Sequence, residues 1–452
     1  MTSGSPVKLL VTFALPLMLG NVFQQLYTVV DTAVVGQGVG VQALAALGAG
    51  DWLGWLSLGT IQGLTQGFGI PVAQSFGAGD YEKLKRVVGG ATILAAISAV
   101  VLFLFDQLMA VPLLTLLQTP AEIMPQALLY LRIIYCGVPV VMTYNLLATI
   151  LRSLGDSKTP LHAMIVACTI NIVLDVLFVM GFRWGIAGAA IATVIAQGCS
   201  GLFCLLRLRK ISILKLEKTH LRLERGLAVQ LLKLGFPTAL MNMIIAAGGM
   251  IIQMVVNGFG VLFIAGFTAS NKMYGVLEIA ATSYGYAMTT YVGQNLGAGE
   301  KARIKQGVGA ACVVAVVTSL MIMAVMLVFG RNILSMFLSG TPQEVAQTME
   351  VAYGYLTVMS VCLPILYLLY VFRSALQGMG NSFLPMVSGM MELAARLAAA
   401  LTLPMLIGET GVFYAEVLAW LGAVVILVPS YFVTFRKICR DCNCVHSGNM
   451  IE

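Results

Sequence analysis

The chain has 452 residues, of which 59% are hydrophobic and 10% charged, with a mean hydropathy of +0.93 and a formal charge of +7 at pH 7. A soluble domain carries about 25% charged residues, so a water-soluble globular fold of this length is excluded for want of polar surface. The basic residues are dispersed over separate loops, which argues against a nucleic-acid partner.

Apolar runs of about 20 residues, the length that crosses a bilayer, recur along the whole chain. They predict an all-α integral membrane protein with twelve transmembrane helices, near 9–38, 43–75, 87–111, 126–152, 160–182, 185–208, 227–258, 262–294, 307–330, 348–377, 384–406 and 410–435. The first run lacks a short apolar core followed by a small-residue cleavage site, so it reads as a retained helix rather than a signal peptide. With the N-terminus inside, the inner segments hold Lys8, Lys83, Lys85, Arg86, Arg152, Lys158, the basic stretch from Arg207 to Lys233, Lys301, Arg303, Lys305, Arg373, Arg436, Lys437 and Arg440. The outer loops hold only Arg183 and Arg331. Cytoplasmic loops carry such an excess, so both termini are expected in the cytoplasm of a cell carrying this chain in its cell membrane.

Self-comparison reveals a repeat. The segment AQSFGAGDYEKLKRVVGGA at 73–91 realigns without gaps on GQNLGAGEKARIKQGVGAA at 293–311, an offset of 220. The same offset pairs Val35, Gly38, Gly40, Ala45 and Ala49 with Val255, Gly258, Gly260, Ala265 and Ala269. After a small insertion, Tyr130, Leu131 and Pro139 pair with Tyr355, Leu356 and Pro364, and Gly155-Asp156-Ser157 with Gly380-Asn381-Ser382. Six helices per half is an even number, so both halves begin on the same side and form two six-helix bundles related by a pseudo-two-fold axis along the membrane normal. The expected organisation is an N-terminal lobe over 1–208, a basic cytoplasmic linker over 209–226, a C-terminal lobe over 227–435 and a cytoplasmic Cys-rich tail over 436–452. The Gly-Ala-Gly-Asp turn at 77–80 is not a phosphate loop, since no Gly-Lys pair follows it; its acid is expected to cap a short amphipathic helix.

An ionisable group at mid-bilayer costs about 2.5–3.5 kcal/mol and therefore marks a functional site by default. Asp31 and Asp175 lie about 20–35 Å along helices that enter from the cytoplasm, at about 1.5 Å per residue. Asn171 stands one turn before Asp175, and Thr193 at a compatible depth on the next helix. Two carboxylates, an amide and a hydroxyl at one level suit a small hard cation or a shared proton. The second half does not keep these residues: Asp31 falls opposite Ile251, Asn171 opposite Arg396 and Asp175 opposite Ala400. It has Glu278, Glu392, Arg396 and Glu416 instead, a possible C-lobe polar site, with Glu392 and Arg396 spaced as an intrahelical pair. Gln24, Gln25, Gln62 and Gln66 are candidates to line a substrate cleft, and Pro16 removes a helical hydrogen bond where the first helix can bend. In the tail, Cys439, Cys442, Cys444 and His446 carry enough thiolate and imidazole ligands for a metal ion, although a reduced, mobile tail is the simpler reading.

Taken together, PLMLGNVFQQLYTVVDTAVVG, LRSLGDSKTP followed by NIVLDVLFV and GIAGAAIAT, and the two Gly-Ala-Gly-acid turns resemble the multidrug and toxic compound extrusion (MATE) family over about residues 8–435. The resemblance implies a V-shaped pair of bundles that alternates between inward and outward openings and exports drugs or metabolites against an inward H+ or Na+ gradient, without a cofactor. Its DinF-like branch uses positions matching Asp31, Asn171, Asp175 and Thr193 as a cation site and bends its first helix at a proline matching Pro16. The NorM-like branch places acids on its seventh and tenth helices; here 227–258 has none and 348–377 only Glu350, at its outer end. The expected activity is export of small organic, cationic or amphiphilic compounds by a protein that works as a monomer. The alternatives are a lipid-linked saccharide flippase of the same superfamily and a non-transporting membrane receptor. No nucleophile, metal cluster or His-acid motif at membrane depth points to an enzyme.

Overall fold

The computed structural model describes residues 1–338 and 341–448, without the side chains of Val41 and of 441–448. Among the described residues there is no strand. The helices are α1 (Pro6–Gly38), α2 (Val41–Gly77), α3 (Tyr81–Leu116), α4 (Met124–Cys136), α5 (Val138–Ser153), α6 (Lys158–Asp175), α7 (Ile186–Arg209), α8 (Arg225–Val256), α9 (Val261–Gly297), α10 (Lys301–Ser335), α11 (Pro342–Gly378), α12 (Phe383–Ile407) and α13 (Phe413–Gly448). The repeat is visible in these bounds: α2 and α9 begin and end 220 residues apart, and α3 and α10 begin 220 apart.

Among the described residues nine helices are long and apolar enough to cross a membrane, or ten if the bent pair α4–α5 is one span. The two long helices outside that set, α2 and α9, are 37 residues each and interrupt their apolar runs with polar side chains such as Asp51, Gln62 and Gln66, or Lys272 and Glu278. The predicted helix 126–152 is broken into α4 and α5 with a bend of 46°. Pro139 alone does not cause this, because its counterpart Pro364 sits inside the unbroken α11. The difference is Gly137, which corresponds to Cys362. A Cβ at Gly137 would lie 2.6 Å from Val194 Cγ2, so the bare backbone lets the bend pack against α7.

The Gly-Ala-Gly-acid turns are built alike. Gly79 and Gly299 have φ of +70° and +75°, a region that side chains disfavour. The following N–H groups of Asp80 and Glu300 donate back to Ser75 and Asn295 carbonyls at 3.2 and 2.9 Å. Asp80 caps α3, its Oδ1 accepting from Lys83 N at 2.9 Å, whereas Glu300 makes no side-chain cap. The short amphipathic helix expected after Asp80 does not exist separately: α3 runs unbroken from Tyr81 to Leu116. Gly89 and Gly90 do not end it, because they serve close packing; a Cβ at Gly89 would meet the His220 carbonyl oxygen at 2.1 Å, and one at Gly90 the Leu227 side chain at 2.7 Å.

The chain forms two compact units, Leu15–Ala246 on one side and Met1–Ala14 with Ala247–Glu452 on the other. Within the first, α2 packs on α3 and α5, α3 on α5, α5 on α7, and α6 on α7. Within the second, α9 packs on α10 and α11, α10 on α11, α11 on α13, and α12 on α13. These are equivalent pairs under the repeat. The first unit also includes the start of α8, which crosses α2 at Gly63, Gly67 and Gly235, with Asn242 Nδ2 donating to the Gly59 carbonyl at 2.9 Å.

Candidate functional site

In the first unit, α1, α6 and α7 each present polar groups on successive turns. Tyr27 and Asp31 stand four apart on α1, Asn171 and Asp175 four apart on α6, and Thr193 and Gln197 four apart on α7, so each pair shares a helix face. Asn171 Nδ2 donates to Thr193 Oγ1 at 3.4 Å, and Gln197 Nε2 to the Tyr27 hydroxyl at 3.5 Å. Asp31 is 7% exposed, Asn171 1% and Asp175 fully buried, and the two acids lie within electrostatic reach of each other. Close approach of α1 to the α6 segment is made possible by Gly38, whose Cβ would lie 2.9 Å from Val179 Cγ1.

The hydrogen bonding of this cluster is lopsided. Asp31 Oδ1, Asn171 Oδ1, both oxygens of Asp175 and Gln197 Oε1 are buried with no hydrogen-bond partner. All five are acceptors, and buried polar groups are otherwise nearly always paired. Immediately after Asp175 the helix widens into a π-helical turn, Val176–Gly181, a distortion frequent at functional sites. The donor set, two carboxylates with amide oxygens and a hydroxyl, fits a proton or a hard cation.

Sequence reasoning missed several neighbours. Asp51 on α2 is within electrostatic reach of Asp31, and Tyr130 on α4 of Asp31, Asp51 and Asp175. A further acid, Asp106 on α3, is 8% exposed and accepts from Ser57 Oγ at 2.6 Å. The signal for both acids was their position inside predicted spans. Of the glutamines, Gln24 adjoins the Tyr27 hydroxyl, Gln25 is exposed, and Gln62 and Gln66 are half-buried on α2. Pro16 is buried inside the continuous α1.

In the second unit Glu392 lies between two guanidiniums, accepting from Arg373 at 2.7 Å and from Arg396 at 3.2 Å; Arg396 also reaches Glu416 at 2.7 Å. Arg373, counted with the inner segments by its charge, lies five residues before the end of α11 and is buried in this network against α12. Glu278 accepts from the Tyr370 hydroxyl. Lys272 and Arg132 are exposed. Among the described residues no group of His, Cys, Asp or Glu gathers as metal ligands. Cys439 is half-buried; the side chains of Cys442, Cys444 and His446 lie outside the described residues.

An all-helical, multi-pass fold that buries carboxylates at membrane depth is that of a membrane transporter of small molecules. The MatE family model matches residues 16–177 and 237–402, and the chain belongs to this multidrug efflux family. It is 33% identical to the probable multidrug resistance protein YpnP of Bacillus subtilis (strain 168) over 303 residues, 67% of this chain and 68% of that one. It is 30% identical to the probable multidrug resistance protein YoeA of the same organism over 354 residues, 76% and 75% of the two chains. Its fold matches a solved outward-facing multidrug resistance MATE family transporter of the MOP superfamily, with a TM-score of 0.89 at 21% identity over 96% of this chain and 97% of that one. Members of the family are transporters rather than enzymes and run on ion gradients without cofactors.

Proposed function

We propose that this protein is a cation-coupled antiporter, driven by H+ or Na+, that exports small organic, cationic or amphiphilic compounds by alternating access. It works as a monomer of the cell membrane, with twelve spans in two repeats when α4–α5 counts as one, and with both termini in the cytoplasm. The observation that carries the reading is the set of five unpartnered buried acceptor oxygens around Asp31 and Asp175. Two acids in electrostatic reach of one another with no donor facing them disfavour the doubly ionised state. A proton or cation arriving there relieves both the repulsion and the missing hydrogen bonds.

The residues are those at which the chain resembles the DinF-like branch. Binding at this site drives transport only by favouring one conformation over another, and Pro16 gives α1, which carries Asp31, a place where its hydrogen-bond ladder is already interrupted. A flippase for lipid-linked saccharides needs cationic groups for pyrophosphate, but Arg373 and Arg396 are committed to Glu392 and Glu416. The test is purified protein in liposomes with pH and sodium gradients imposed separately and export of an organic cation such as ethidium as the readout. One gradient drives export in the intact chain and neither does in D31N; export that ignores both gradients refutes the reading.

A further inference from the structure

Five ionisable side chains meet inside the second unit, and their charges do not cancel. Glu392 and Glu416 together accept from Arg373 and Arg396, two carboxylates against two guanidiniums. Glu278 on α9 is a third carboxylate in electrostatic reach of Glu392, Glu416 and Arg373. Its hydrogen-bond donor is a neutral phenol, Tyr370 on α11. The other groups that face it are phenols too, Tyr274 on its own helix and Tyr367 on α11. Lys272, six residues earlier on α9, is exposed and about 240° around the helix, on another face.

Arg373 does not supply the missing charge. Its terminal nitrogen is given to Glu392 at 2.7 Å, its guanidinium carbon lies 5.9 Å from the centre of the Tyr370 ring, and its Nε is buried without any partner. A guanidinium N–H with no acceptor stands in the same cluster as a surplus carboxylate, yet the two are not joined. With all five groups ionised the cluster holds one net negative charge at membrane depth, where an unpaired charge is costly. One proton on Glu278 brings it to neutrality.

We propose that Glu278, held by Tyr370, is a proton-binding site of the C-terminal half, separate from the acids of the first unit. The carboxylate takes a proton from water and becomes a carboxylic acid, the cluster passing from one negative charge to none, and gives it back when the site opens to a more alkaline compartment. Glu392 and Glu416 stay ionised throughout, because each is matched by a guanidinium. The inference does not depend on the reading of Asp31 and Asp175.

The experiment is infrared spectroscopy of the purified full chain in liposomes across a pH series, following the C=O stretch of protonated carboxyl groups. The wild-type chain shows a titrating carboxyl band that E278Q lacks and D31N keeps, and in Y370F that band moves to higher frequency as a hydrogen bond is lost. Glutamine has the shape and charge of protonated glutamate, so E278Q melts at the wild-type temperature, whereas E392Q, which takes from buried Arg373 its carboxylate partner and leaves Arg396 with Glu416 alone, melts lower. The assignment is overturned if E278Q and wild type have the same carboxyl bands at every pH. It is overturned equally if E278Q is the less stable of the two glutamine variants, or if the band ignores Y370F.

Discussion

Gly67 on α2 and Gly235 on α8 approach so closely that a Cβ on Gly67 would stand 2.4 Å from the Gly235 Cα. Gly63 is equally tight, its Cβ meeting the Ala239 Cα at 2.4 Å, so backbone faces backbone over a full turn. No flexible side chain is available to yield. Gly67→Ala is expected to cost about 1–3 kcal/mol through overpacking, read as a lower melting temperature in detergent. Gly59→Ala, on the same helix, is the control: its Cβ would meet only Asn242 Cβ at 3.6 Å, ordinary contact, and should melt as wild type.

Asp31 and Asp175 act as one unit if they share a bound ion. Removing either then removes the site, and effects of groups acting together are strongly non-additive. D31N, D175N and the double variant are expected to lose gradient-driven ethidium export to the same extent, at least about tenfold. T193V, which removes only the hydroxyl that accepts from Asn171, should retain part of the activity. Independent, multiplying losses in the double variant would show that the acids serve separate sites.

Much of this was legible in the sequence, and the failures have physical causes. The 220-residue offset appeared as helix bounds because the turns that follow α2 and α9 each need a glycine at positive φ, Gly79 and Gly299, which fixes the same register in the two halves of the chain. The break after Cys136 was hidden because 126–152 reads as one apolar run and the repeat partner of Pro139, Pro364, bends nothing; the residue that differs is Gly137, two positions earlier. The pairing of Arg373 with Glu392 was not legible, since charge counting cannot see a partner on another helix. Asp51 and Asp106 were overlooked beside Asp31 and Asp175 because periodicity shows depth but not which helices adjoin.

The buried charge network makes a different demand. Arg396 donates to Glu392 at 3.2 Å and Glu416 at 2.7 Å while only 4% exposed. Replacing it with leucine leaves the partly buried carboxylate of Glu416 facing no cation, and breaking a buried pair from one side costs up to about 3–5 kcal/mol. R396L is therefore expected to be poorly stable, and R396L combined with E416Q to recover a substantial part of the loss. The check is a double-mutant cycle on melting temperature; simple additivity would mean that the two residues are not coupled.

The linker is latched to the first unit by His220. Glu217 N–H donates to its Nδ1 at 3.0 Å, so that nitrogen is the acceptor, and Nε2 meets Glu82 Oε2 at 3.2 Å. Lys85 binds the other Glu82 oxygen at 2.7 Å, and together Lys85 and His220 hold the Glu82 carboxyl below its ordinary value of 4.5. A carboxyl whose folded pKa is depressed adds stability above its unfolded pKa and loses it as pH falls through the folded one. The latch is thus closed at neutral pH and loosens in acid, below the ordinary glutamate value. Hydrogen exchange of residues 212–224 should accelerate over that acidic window in the wild type. E82Q should show the faster exchange already at pH 7 and lose most of the acid response, and Gly89→Ala should do the same by displacing the His220 carbonyl, which a Cβ there would meet at 2.1 Å. If E82Q protects the linker as well as wild type does at pH 7, the contact between the Glu82 carboxylate and His220 is not what holds it.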